Sequence, residues 1–178
     1  MDNLELPETP LSRIADGVIV RVGRSVSWLW VILLSVIVVN VLLRYLFGEG
    51  RVEFEELQWH INSVAFLTAI VYAYKTDSHI RIDLISSGLS NRTRVWIEMY
   101  GTLLLLLPFV VSIFSFSLSF VAHSWTVGEI SQSPGGLPYR WILKSILTGA
   151  FVFLMLGICA RITRLWAFLS QNHTDELT

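Results

Sequence analysis

The histidines and carboxylates of this chain form two pairs at helical spacing. Glu56 and His60 lie four residues apart, as do His79 and Asp83. Two such side chains on one helix face can bind the same metal ion, but a catalytic zinc usually needs three protein ligands. His60 and His79 are nineteen residues apart across an apolar stretch, and a helix would hold them about 28 Å from each other. We therefore expect helix capping or interfacial hydrogen bonds from these pairs, and no metal site.

A second arrangement of histidines has a different chemical meaning. His60 and His123 are expected near the same edge of two neighbouring helices, and two histidines at one depth of a four-helix bundle could ligate a b-type haem. Against this, His123 stands beyond the apolar part of its stretch, beside Ser124 and Trp125. An interfacial histidine is the simpler interpretation, and a haem-bearing redox anchor is the alternative from the enzyme class.

Four apolar stretches must position these side chains. Hydrophobic residues make up 53% of the 178-residue chain and charged residues only 15%, with a mean hydropathy of +0.60. Soluble domains usually carry about 25% charged residues, and a membrane-spanning helix needs about 20 apolar residues. The predicted fold is all-α, a single membrane domain over residues 1–178 with four transmembrane helices at about 26–47, 57–74, 95–122 and 141–160.

Shorter signals refine this picture. Thr9 is a predicted N-cap with Pro10 at the first helical position, and an amphipathic surface helix should follow. Its apolar face would hold Leu11, Ile14, Ala15, Val18 and Val22. A second surface helix is predicted over 77–89, and Pro108 should kink the third span.

Basic residues set the expected orientation. Nine of the thirteen lie before the first span, between the second and third, or after the fourth, and four lie on the other side. The positive-inside rule therefore places both termini in the cytoplasm. The net charge of −1 gives no reason to expect nucleic acid as a partner. The outer side then carries Glu49, Glu53, Glu55, Glu56 and Glu129.

The first predicted hairpin brings opposite charges together. Arg44 lies one turn inside the end of the first span, and the chain must reverse before Glu55 and Glu56. We expect Arg44 to pair with one of these two carboxylates, since a guanidinium matches a carboxylate in two bonds. Glu49 and Glu53 form a predicted acidic docking face for a soluble partner; the alternative is that this side is acidic only because Lys and Arg are kept on the cytoplasmic side. No span has a charge at mid-depth, which argues against the second alternative, a stand-alone small carrier.

Several short motifs resemble one family. The chain reads LRYLF at 43–47, EEL at 55–57, HIRIDL at 79–84, GEIS at 128–131 and GLP at 136–138. In order and spacing these resemble the small membrane subunit, DctQ, of tripartite ATP-independent periplasmic (TRAP) transporters, over about 28–160. The chain departs from the family in having Phe54 where a tryptophan is common, and in a longer 133–138 stretch.

The resemblance implies a function. It implies a non-enzymatic scaffold subunit in the bacterial inner membrane, part of a sodium-driven importer of an organic acid. Its partners would be a large membrane subunit of the M or DctM type, a periplasmic substrate-binding protein and membrane lipid. Sodium would bind the large subunit, so no cofactor is expected on this chain. The residues expected to have structural or interface roles are Arg44, Glu55, Glu56, His79, Asp83, Glu129 and Lys144.

Overall fold

The computed structural model describes residues 6–48, 50–78 and 88–175, with side chains as far as residue 170. Every regular element in these ranges is helical, which confirms the predicted all-α class. The helices are α1 (Pro10–Val26), α2 (Leu29–Phe47), α3 (Val52–Lys75), α4 (Asn91–Gly101), α5 (Leu107–Thr126) and α6 (Arg140–Asp175), with a π-helical segment (Thr102–Leu106) between α4 and α5.

Three stretches of the described chain are long and apolar enough to cross a membrane. They are Pro10–Phe47, Asn91–Thr126 and Arg140–Ser170. The helix that contains the predicted second span, α3, is 24 residues long but is not among them. Polar side chains in its first turns, Gln58, His60, Asn62 and Ser63, lower its hydropathy.

The start of α1 is fixed by a reciprocal cap. The Thr9 hydroxyl accepts the Ser12 N–H at 3.2 Å, and the Ser12 hydroxyl accepts the Thr9 N–H at 3.0 Å. Pro10 occupies the first turn, where a missing N–H costs nothing. The predicted N-cap is confirmed.

The predicted apolar face of α1 is divided in the structure. Ala15 is buried together with Ser12 and Ile19, whereas the other four residues of that face are exposed. The second predicted surface helix cannot be compared in the same way, since residues 79–87, with His79 and Asp83, lie outside the described part of the chain.

Pro108 is accommodated by a wider turn before it. A proline inside a helix removes one backbone hydrogen bond and crowds the carbonyl four residues earlier, here that of Leu104. Leu104 lies within the π-helical segment Thr102–Leu106. The wider turn thus directly precedes the proline, and α5 continues through Pro108 to Thr126.

The longest helix, α6, is the centre of the packing. It contacts α1, α3, α4 and α5, while α2 pairs with α3 as an antiparallel hairpin. α1 and α3 both reach α6 at Gly157, where a Cβ would be in ordinary contact with Ile19 Cδ1 and Tyr74 Cδ1, 3.5 Å from each. A small apolar core joins α4 to the second half of α6 through Val95, Met99, Leu165 and Leu169, with Leu6, Ile162 and Phe168 around it.

Candidate functional site at the hairpin end of the bundle

Four helix termini meet at one end of the molecule, which we call the hairpin end. There α2 ends, α3 begins, α5 ends and α6 begins. The turn from α2 into α3 is short because Gly48 ends α2 in the left-handed conformation, with φ of 68°. Its N–H donates to the Arg44 carbonyl at 3.1 Å. This tight turn returns the chain beside the last turn of α2.

The return of the chain brings Arg44 and Glu55 together. Arg44 Nη2 donates to Glu55 Oε1, and both side chains are about half exposed. Gly50 packs against the same guanidinium, since a Cβ there would lie 3.4 Å from Arg44 Nε. The ion pair therefore links the last turn of α2 to the first turn of α3, next to the turn of the hairpin.

The neighbouring carboxylate points elsewhere. Successive residues of an α-helix point about 100° apart, so Glu56 faces the connection from α5 to α6. Its Oε2 accepts the Leu137 N–H at 2.5 Å, and its Oε1 accepts the Ser131 hydroxyl. The Glu56 side chain of α3 thus accepts hydrogen bonds from two residues of the α5–α6 loop, which comprises residues 127–139.

The α5–α6 loop is shaped for this contact. The Ser131 N–H donates to the Leu137 carbonyl at 3.3 Å, which closes the loop on itself. Gly135 has φ of 79°, a conformation that favours glycine. At Gly136 a Cβ would lie 2.8 Å from Glu56 Oε1. The glycine pair of the SPGGLP stretch lets the backbone approach the carboxylate closely.

A second ion pair closes the base of the loop. Lys144 Nζ donates to Glu129 Oε2 and lies 3.8 Å from the centre of the Phe120 ring. The Arg140 N–H donates to the Glu129 carbonyl at 3.2 Å. Only 13% of the Lys144 side chain is exposed, so its ammonium is shielded between a carboxylate and a ring face. These contacts tie the end of α5 to the start of α6.

The electrostatics of the loop follow from these bonds. The hydrogen bond from the Ser131 hydroxyl, and next that from the Leu137 N–H, lowers the pKa of Glu56. The hydrogen bond from Lys144 lowers the pKa of Glu129. Donors that stabilise the charged form of a carboxylate make it a stronger acid. Both groups are therefore ionised at neutral pH.

The remaining predicted site residues are distributed as follows. Glu53 lies beside the loop, since a Cβ at Gly135 would be 3.6 Å from its Oε1. Glu49, like His79 and Asp83, is outside the described residues. One ring nitrogen of His60, Nδ1, lies 2.7 Å from the Glu56 carbonyl, and His123 is exposed in the last turn of α5. Within the described ranges no three His, Cys, Asp or Glu residues are grouped as a metal site would require.

The opposite end of the bundle holds charged pairs that the sequence analysis missed. Arg161 Nε donates to Glu98 at 2.6 Å, and Arg161 Nη2 lies 3.4 Å from Asp77. Arg164 Nη2 donates to Asp16, and each of these two side chains is only 16% exposed. From the sequence, both arginines are simply basic residues that follow the fourth predicted span. The signal for their role is that the helical pattern continues past residue 160, which keeps them beside other helices.

Comparison with known proteins agrees with this architecture. The model of the family described as "Tripartite ATP-independent periplasmic transporters, DctQ component" matches residues 33–168. That match includes both ion pairs of the hairpin end and the whole α5–α6 loop, and it confirms the resemblance drawn from the motifs. No curated protein matches the chain.

Proposed function

Because the chain belongs to the DctQ family of tripartite ATP-independent periplasmic transporter components, we propose that it is the small scaffold subunit of a sodium-driven importer of an organic acid. The match over 33–168 is the observation that carries this proposal. The proposed partners are a large membrane subunit of the M type, which would bind sodium and the solute, and a periplasmic substrate-binding protein. This chain would brace the large subunit in the membrane.

The proposed arrangement in the membrane has four spans. α3 would be the second span despite its lower hydropathy, because it packs against α2 as an antiparallel hairpin. The Arg44–Glu55 ion pair joins the two helices next to the turn. A helix paired in this way with an apolar span runs beside it through the bilayer. The nine-to-four division of basic residues supports an orientation with both termini in the cytoplasm, and the hairpin end would then be on the periplasmic side.

Bracing requires a rigid body with an apolar flank. Large apolar side chains of α2 are widely exposed, among them Val31, Leu34 and Leu42 at 54%, 63% and 49%. In a membrane such a surface faces lipid or another helix. α3 pairs with α2 and also packs against α6, and this would hold the flank in one position. These features favour a role as a rigid scaffold over a role as a moving part of the transporter.

Docking of the substrate-binding protein is proposed at the hairpin end. Glu53 lies in the first turn of α3 and is exposed, and Glu49 precedes it by four residues in the sequence. An acidic face can speed the encounter with a basic surface on a soluble partner. Glu53→Gln with Glu49→Gln should slow the association rate and flatten its dependence on salt. If both quantities stay unchanged, the acidic residues are not the docking face.

The central experiment is purification of the tagged full chain in a mild detergent, followed by mass spectrometry. We expect one large polytopic membrane protein of the same transporter class to be recovered, and not with an equally tagged, unrelated membrane protein. Liposomes that contain this chain alone should take up no organic acid, whereas chain, large subunit and binding protein together should import it with sodium. Uptake by the chain alone would show that it is itself a carrier.

A further inference from the structure

The first helix, α1, has an apolar side that faces away from the bundle. Its inner side is buried against α3 and α6 through Ser12, Ala15 and Ile19. Next to this inner side runs a second apolar row, which we call the outer strip. Its spacing of three and four residues keeps it on one side of the helix. The outer strip consists of four residues that are each between 37% and 70% exposed: Leu11, Ile14, Val18 and Val22.

Two arginines border the outer strip. Arg21 follows Ile14 by seven residues, so the two side chains point within about 20° of each other, and Arg24 follows almost one turn later. Both arginines are exposed. The other two charged side chains of α1, Arg13 and Asp16, have ion-pair partners, whereas no ion pair of Arg21 or Arg24 occurs within the described residues. Around α1 the bundle is therefore followed by the outer strip and then by unpaired positive charge.

The contacts of α1 set its depth relative to α6. The Thr9 hydroxyl lies 2.9 Å from the Thr163 hydroxyl, and Ile19 Cδ1 lies 3.5 Å from the position of a Cβ at Gly157. From Thr9 to Ile19 the chain rises about 15 Å along α1, whereas Thr163 and Gly157 are only about 9 Å apart along α6. α1 therefore crosses α6 obliquely, at a level close to the end of the predicted fourth span at residue 160.

The same helix is continuous with a stretch that can cross a membrane. α1 ends two residues before α2 begins, and both belong to the apolar stretch Pro10–Phe47. Trp28, between the two helices, is exposed, and tryptophan concentrates where acyl chains meet headgroups. Helices with an apolar face and basic residues beside it lie in this boundary, with the apolar face about 5–10 Å deep. The depth of α1, its outer strip and its arginines all fit that position.

We propose that α1 is an interfacial anchor, with the outer strip among acyl chains and with Arg21 and Arg24 bound to anionic phospholipid headgroups. The partner is a lipid surface that carries negative charge, because an apolar strip beside unpaired guanidinium groups matches the acyl and headgroup layers of one leaflet. The lipid would hold α1 from outside, while Asp16 and Arg164 hold it to α6 from inside. This proposal requires only that α2 and α6 cross a membrane, so it does not depend on the transport function proposed above.

Fluorescence quenching by lipids tests both parts of the proposal. The full chain, in a Cys159→Ala background, carries a bimane on one introduced cysteine and is reconstituted in phosphatidylcholine vesicles. A fixed fraction of the lipid has a nitroxide on its acyl chain, with either a phosphatidylcholine or a phosphatidylglycerol headgroup. Val18→Cys labels the outer strip. Gly17→Cys is the matched control, because this adjacent position points about 100° away and a Cβ there would meet nothing within 4 Å.

We expect nitroxide phosphatidylcholine to quench the Val18→Cys label at least about threefold more strongly than the Gly17→Cys label, because acyl chains contact the outer strip. Beside Val18→Cys, phosphatidylglycerol should bind about fivefold more tightly than phosphatidylcholine, since basic side chains at the surface attract anionic lipid. Arg21→Gln with Arg24→Gln should abolish this preference and leave quenching by phosphatidylcholine unchanged. Arg21→Lys with Arg24→Lys keeps both charges and should keep the preference.

Four results would overturn the proposal. Equal quenching at positions 17 and 18 would show that the outer strip does not face acyl chains, and a preference for phosphatidylglycerol that survives the double glutamine substitution would come from other residues. Quenching at Val18→Cys that appears only when the protein is diluted in lipid would show that a second copy covers the strip. Loss of this quenching in a complex with a membrane partner would show that a partner helix covers it. All the substituted positions of α1 are exposed, and every variant is required to have the circular dichroism of the parent.

Discussion

Glu56 and Leu137 are 81 residues apart in the chain, and the Leu137 N–H donates to Glu56 Oε2 at 2.5 Å. The same carboxylate accepts the Ser131 hydroxyl through its other oxygen. One side chain near the start of α3 therefore holds the α5–α6 loop closed over the hairpin end. A loop with two charged hydrogen bonds at its centre keeps one shape, which a docking surface requires.

Removal of this carboxylate should loosen the loop. In Glu56→Ala the Leu137 N–H loses its acceptor, and a hydrogen bond to a charged group is worth about 1.5 kcal/mol at a partly exposed site, so its amide should exchange roughly tenfold faster. Hydrogen exchange with mass spectrometry measures this directly. Glu53→Gln, one turn earlier on α3, is the control and should leave the rate unchanged. Equal rates in Glu56→Ala and the parent would show that the contact does not hold the loop.

The loop should also open in acid. Hydrogen bonds lower the pKa values of Glu56 and Glu129 below the ordinary 4.5. A carboxylate with a depressed folded-state pKa contributes stability that is complete above its unfolded value and is lost as the pH falls through the folded value. A spin label at Gln132→Cys, in a Cys159→Ala background, should stay immobile from pH 7 down to the ordinary carboxyl value of 4.5 and become mobile as the pH falls further, through the lowered pKa values of the two groups. Glu56→Gln with Glu129→Gln should remove this transition, and an unchanged transition in that variant would assign it to other groups.

Arg44 should couple to Glu55 and not to Glu56. Both members of the Arg44–Glu55 pair are about half exposed, so a double-mutant cycle with alanine should give about 0.5–1 kcal/mol. The cycle of Arg44 with Glu56 should be additive within about 0.5 kcal/mol, because Glu56 bonds the loop instead. Unfolding by SDS in mixed micelles gives the free energies. A larger coupling to Glu56 would contradict the observed pairing.

The Asp16–Arg164 pair should anchor α1 to α6. Each side chain is only 16% exposed, so Arg164→Ala leaves a poorly solvated carboxylate and should cost about 2–3 kcal/mol of unfolding free energy. Arg13→Ala removes an exposed pair with Glu8, 76% and 63% exposed, and should cost less than about 0.5 kcal/mol. Asp16→Leu with Arg164→Leu should recover most of the loss. If Arg164→Ala and Arg13→Ala cost the same, the buried pair does not secure α1.

The orientation is testable with single cysteines in the Cys159→Ala background. Gln132→Cys and Gly50→Cys, both at the hairpin end, should react with a membrane-impermeant maleimide on spheroplasts. Ser25→Cys, exposed on α1, should react only after the membrane is opened. The three variants serve as controls for one another, because all are labelled with the same reagent on the same spheroplast preparation. Reaction of Ser25→Cys on intact spheroplasts would reverse the proposed topology.

The sequence predicted the all-α class because the formation of helices depends on local patterns. The length of an apolar run determines whether a helix can cross a bilayer, and this property requires no knowledge of neighbours. The N-cap of α1 at Thr9 could be predicted for the same reason, because the bonded groups of Thr9 and Ser12 are only three residues apart. The order of short motifs was enough to indicate the family, which the match over 33–168 confirms.

The sequence also narrowed the partner of Arg44 to two adjacent carboxylates, but it could not choose between them. Glu55 and Glu56 differ by about 100° around α3, and only the packing of the bundle decides which of those directions faces α2. The packing turned Glu55 to Arg44 and Glu56 to a loop about 80 residues away. The same limit applies to Arg161 and Arg164, which look like ordinary interfacial cations until α6 is placed beside α1, α3 and α4. Local spacing determines where a helix lies along the chain, whereas the partner of a charged side chain depends on which helices come to lie next to it.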